Sequence, residues 1–123
     1  MTGGFLGGFS IEEEIARYRP GDTKAGRRAE TLIKADGLRV VLVTMRSGIT
    51  LHEHTAPGPI SIHALRGQFR LTFGDQAREL GPGDLASLDT GIAHTVEALV
   101  DGAFLLTIGW GSGESGEQGN EAR

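Results

Sequence analysis

A chain of 123 residues, 38% hydrophobic and 23% charged, has the size and make-up of one ordinary soluble domain. Its net charge of −4 argues against a nucleic-acid surface, and the lack of cysteine excludes disulfides, thiolate nucleophiles and cysteine zinc sites and suits the cytoplasm. The sequence holds no apolar run of about 18 residues that would predict a membrane span, and its opening residues make a poor secretory signal.

Residues 10–20 predict a short helix. Ser10 can cap it, with Glu13 three residues later completing a capping box. Acids in the first turn and Arg17 and Arg19 at the end suit the helix dipole, and Pro20 and Gly21 stop it. Residues 22–28 are polar and basic and read as a linker, so 1–28 form an N-terminal segment. From Ala29 the pattern is β. Segments 31–35 and 38–45 flank Asp36-Gly37, a strong hairpin signal. Further strands are predicted at 49–54, 60–65, 68–73, 77–80, 85–88, 94–99 and 103–108, with turns at Gly74-Asp75 and Gly81-Pro82-Gly83-Asp84. About nine short strands at intervals of eight to twelve residues predict one all-β barrel or sandwich over 29–110. The tail 111–123 has only Ala122 as an apolar residue and is expected to be disordered.

Chemistry points to histidine. The chain has four. His52 and His54 are one residue apart in a predicted strand, where positions i and i+2 share a face and Glu53 points the other way. A third histidine, His94, begins a later strand and could close a three-nitrogen metal site. The plainer reading is a hydrogen-bonded histidine pair in a half-buried strand. Other chemistries lack their residues. Gly81-Pro82-Gly83-Asp84 has no Lys-Ser/Thr of a phosphate loop, and there is no Gly-x-Ser-x-Gly. The two lysines, Lys24 and Lys34, and the one tyrosine, Tyr18, lie away from the histidines in sequence, which disfavours Schiff-base or Tyr/His epimerase mechanisms.

Gly48-x3-His52-x-His54, followed by Gly67, resembles the first cupin motif, G-x5-H-x-H-x(3,4)-E-x6-G. Gly83-x5-Asp89-x-Gly91-x2-His94-x3-Ala98 is similar to the second, G-x5-P-x-G-x2-H-x3-N. The resemblance spans residues 38–109. It implies a cupin-like double-stranded β-helix, or jelly-roll, barrel with a short N-terminal helix, and it places His52, His54 and His94 at three metal-ligand positions. Counting back from Gly67 puts Ile60 where the fourth ligand, usually Glu, would stand, and the loop 55–59 is about one residue longer than the pattern. Asp89 replaces the proline of the second motif. It reads as a turn residue, with a carboxylate at the metal mouth as the sharper alternative.

Strand alternation puts Ile60, Ile62, Ala64, Phe69, Leu71, Phe73, Val96 and Ala98 inside, as an apolar substrate pocket. Glu97 and Arg70 fall outside, and no inward arginine is expected. His63 also falls outside, at a dimer contact, unless a bulge in the long loop flips the register and makes it a fourth ligand. Three histidines suit a divalent transition metal: Fe, Zn, Ni, Cu or, less well, Mn. The expected protein is therefore a metal-binding small cupin, a dioxygenase-type enzyme on a small, partly apolar organic molecule. The alternatives are a non-catalytic small-molecule-binding barrel and a metal-dependent lyase or isomerase. A homodimer is expected, because Phe5, Leu6 and Phe9 need cover.

Overall fold

Ser10 accepts a hydrogen bond from the Glu13 amide at 3.5 Å and starts helix α1, Ile11–Arg17. Acids fill its first turn and Arg17 its last. Pro20 begins a 3-10 turn, Pro20–Asp22, that ends the helical segment. The computed structural model describes residues 3–109, without the side chains of Asp22 and Glu53. The expectations for the tail and for the direction of Glu53 therefore lie outside the described residues and side chains.

Among the described residues nine strands follow: β1 (Arg27–Ala35), β2 (Leu38–Met45), β3 (Thr50–His54), β4 (Ile60–Arg66), β5 (Phe69–Phe73), β6 (Gln76–Leu80), β7 (Leu85–Leu88), β8 (His94–Ala98) and β9 (Gly102–Gly109). They match the predicted runs within a few residues, with one correction. Arg27 and Arg28, expected in a linker, open β1 and pair with Met45 and Thr44. Ladder pairing with β2 carries the strand past the point where its own apolar pattern stops.

The strands form two antiparallel sheets, ordered β1-β2-β9-β4-β7 and β3-β8-β5-β6. Consecutive strands often lie in different sheets, as in a jelly roll. The facing sides hold the core: Val41, Val43 and Met45 from β2, Ile60, Ile62 and Ala64 from β4, Phe69 and Leu71 from β5, Val96 and Ala98 from β8. Phe69 and Phe104 meet edge to face across this interior, with ring centroids 5.1 Å apart and planes at 85°. In β2 all of residues 41–45 are buried. On the face away from the core, Thr44 Oγ1 donates to the Tyr18 carbonyl at 2.6 Å and ties the end of the helical segment to the sheet. Burial on both faces explains why this strand reads as a continuous apolar run rather than an alternating one.

Outside, Arg70 bridges Glu79 at 3.1 Å and Glu97 at 3.3 Å, across the β6-β5-β8 ladder. Both Arg70 and Glu97 thus take the outward places expected of them. All three side chains are more than a third exposed, so each pair adds no more than about 1 kcal/mol.

Candidate functional site

The histidines are sorted by one irregularity in β3. Thr50 and Leu51 pair with Glu97 and Val96, but His54 pairs with His94. Three residues on β3 therefore span two on β8, so β3 carries one extra residue between Leu51 and His54. Leu51 and His54 both line the barrel cavity, as do their partners Val96 and His94. His52 does not line it, although both His52 and His54 are exposed. This corrects the expectation that His52 and His54 share a face. Regular alternation would have put them together, but a single extra residue moves His54 to the face of Leu51 and leaves His52 out.

The alternative place for a bulge is the loop 55–59, one step later in the chain. There the register is regular: Ile60 pairs with Leu88, Ile62 with Ala86 and His63 with Leu85. His63 also pairs with Leu105 and stays off the cavity wall, as the outward reading requires. It is not a fourth ligand here. Asp89 is exposed, and its Oδ1 accepts from the Thr90 amide at 2.7 Å. It has the turn role and does not line the cavity.

The cavity has a volume of about 360 Å3. Val41 and Val43 of β2, Ile60 and Ile62 of β4, and Phe104, Leu106 and Ile108 of β9 form one wall. Of the expected pocket residues, Ile60, Ile62 and Val96 line it. Phe69, Leu71, Ala64 and Ala98 point inward but lie in the packed core, with Phe73 partly buried against it. The end of the barrel around Phe69 is filled, so the open space lies toward β1, β2 and β9. Arg27 and Arg28 also line this space, which corrects the expectation of no inward arginine. Nothing in the hydrophobic pattern marks these two residues; only the β1–β2 pairing brings them to the cavity. A second, more open cleft of about 690 Å3 lies between α1 and the outer side of the first sheet. It is away from the histidines, and the Arg66–Glu12 ion pair joins residues from both of its sides.

At the histidine end one hydrogen-bond role follows from geometry. His94 is 8% exposed, and its Nδ1 lies 3.0 Å from the Ile92 carbonyl. A carbonyl oxygen only accepts, so Nδ1 carries the proton. The Nε2 of the neutral ring is then an acceptor, and it has no protein partner among the described residues. The His54 and His94 rings are 6.3 Å apart between centroids and tilted by 43°.

The expected divalent metal does not fit this arrangement. Among the described residues no group of three or more His, Cys, Asp or Glu is placed to hold an ion. Two imidazoles on one tetrahedral ion would bring their centroids to roughly 5 Å, given nitrogen–metal bonds near 2.0–2.1 Å. Ile60, at the position of the missing fourth ligand, is buried in the cavity wall and has no donor atom.

The fold itself has clear counterparts. A cupin-2 domain protein from Shewanella frigidimarina superposes with a TM-score of 0.68 over 83% of this chain and 94% of that one, at 12% identity. An RmlC-like cupin from Desulfovibrio desulfuricans gives 0.65 over 71% and 85%, at 22% identity. A cupin superfamily protein from Desulfitobacterium hafniense gives 0.65 over 68% and 76%, at 20% identity. The chain has the cupin fold. No family model matches the sequence, and no curated protein matches it. Cupin architecture at such low identity fixes the barrel and leaves the activity to be argued from this chain's own side chains. Among the described residues no helix is long and apolar enough to cross a membrane.

Proposed function

We propose that this cupin is a binding barrel for a small, largely apolar organic molecule. The cavity carries the reading: about 360 Å3, walled by aliphatic side chains and Phe104, with His54 and His94 at one end. Such a space holds roughly a dozen non-hydrogen atoms at ordinary packing. Apolar walls contribute about 25 cal/mol for each Å2 of ligand surface they cover. The histidines give direction, because a ligand hydroxyl aimed at His94 Nε2 gives that ring nitrogen a partner.

Ala56 offers the cleanest test. It lines the cavity from the loop after β3, half-buried and outside the strand ladders. Ala56→Trp is expected to fill the cavity from that loop and lower affinity for small phenols at least tenfold in calorimetry, with the melting temperature little changed. Undiminished phenol binding by the folded variant would place the ligand elsewhere.

A metal-dependent enzyme, dioxygenase-type first and lyase or isomerase second, is the other reading of the same barrel. It is supported by the cupin fold and by the meeting of His54 with the free Nε2 of His94. It requires a third protein donor, and His52 supplies one only if the extra residue in β3 is absorbed elsewhere. Zinc addition should then perturb the His52 ring along with the other two. We further infer a cytoplasmic homodimer. Leu85 is 67% exposed and Phe5 72%, more apolar surface than a lone barrel needs, and the chain has no cysteine. Sedimentation equilibrium should give twice the 13.0 kDa chain mass; a monomer mass would rule the dimer out.

A further inference from the structure

The protein carries a net charge of −4, yet among the described residues no Asp or Glu lines the barrel cavity, while two arginines and two histidines do. The arginines differ. Arg28 is committed: its guanidinium lies 3.3 Å from Glu30 and 5.0 Å from the centroid of the Tyr18 ring. Arg27 has no ion pair among the described residues. It pairs with Met45, on the same side of the sheet as the buried Val43 and Val41.

The cationic and histidine ends are different ends. Met45 pairs with Gly102, the first residue of β9. His54 leads into the loop that meets the far end of that strand: the Gly109 amide donates to the Pro59 carbonyl, and the Gly91 amide donates to that of Ala56. Between them the wall of β9 runs from Phe104 to Ile108, four residues or roughly 13 Å of strand. Among the described residues the cavity therefore has a cation without an ion pair, Arg27, exposed at its rim toward the Met45–Gly102 side where Phe69 fills the interior, an acceptor without a protein partner on the His94 side, and apolar walls between.

We propose that the ligand is an elongated hydroxy acid whose carboxylate is held by Arg27 and whose hydroxyl donates to His94 Nε2. This rests on the barrel as the ligand site and adds the chemistry of both ends. Arginine offers a carboxylate a fork of donors, and the exposed Arg27 reaches the cavity from its rim. An Nε2 that acts as an acceptor pairs with a hydroxyl donor and not with a carboxylate, which sets which end goes where.

Three probes test the claim by calorimetry on the full chain: 3-(4-hydroxyphenyl)propanoate, 3-phenylpropanoate and 4-ethylphenol. The hydroxy acid should bind tightest, with each missing end weakening affinity about tenfold or more. Arg27→Gln should bring the hydroxy acid down to the level of the phenol. His94→Phe should remove the advantage of the hydroxy acid over 3-phenylpropanoate. If the phenol binds as tightly as the hydroxy acid, or Arg27→Gln preserves the difference between them, the inference is overturned and the barrel reading stands. If none of the three binds, both fail.

Discussion

Phe104→Ala should cost about 3–5 kcal/mol of folding stability, read by urea denaturation. Phe104 is 1% exposed, meets Phe69 edge to face and forms part of the cavity wall. Truncation removes that ring contact and a large apolar surface. It also joins new empty volume to a cavity that already exists, so neighbouring side chains have little to collapse onto. Against the roughly 5–15 kcal/mol of a typical domain, this is a large share. The variant that still folds should accept bulkier ligands than the parent. A loss under about 1 kcal/mol would mean that the Phe69–Phe104 contact does not close off the filled part of the barrel.

The second large effect is expected at Gly67, which turns the chain from β4 into β5. Its φ is +81°, a conformation that costs side chains with a Cβ roughly 1–2 kcal/mol. A Cβ there would also lie 2.4 Å from the Asp101 carbonyl oxygen and 2.7 Å from the Gly102 Cα. Both obstacles are backbone, so they cannot rotate away. Gly67→Ala should lose on the order of 3 kcal/mol in thermal or chemical denaturation. Gly74 provides the control: its φ is +59°, but nothing lies within 4 Å of an added Cβ. Gly74→Ala should cost about 1 kcal/mol, from the backbone conformation alone. Equal losses at the two glycines would show that the close approach to residues 101 and 102 is absent.

Most of the barrel was legible because its signals are local. β-branched runs and glycine turns set the strands, and alternation placed Ile60, Ile62 and Val96 on the cavity side. The family resemblance supplied the closing glycine at Gly67 and the barrel itself. The site was legible only in part, because what decides it is not local. Whether His52 or His54 faces inward depends on which residue of β3 goes unpaired against β8. His52-Glu53-His54 reads the same with or without the extra residue. Arg27 reads as linker for a similar reason: its place opposite Met45 belongs to the pairing of two strands, and no periodicity within residues 22–28 records it. His63 and Asp89 came out as the plainer readings had them, because the regular stretch of β4 from Ile60 to Ala64 and a tight turn are both written in short stretches of chain.

The central claim is that His54 and His94 form the polar end of the ligand cavity while His52 stays outside. Side-chain NMR of the four histidine rings during a titration with 3-(4-hydroxyphenyl)propanoate tests it most directly. The rings of His54 and His94 should shift together and saturate with the ligand, and those of His52 and His63 should stay in place. Movement of His52 together with His94, or no movement of any ring at saturating ligand, would contradict the account.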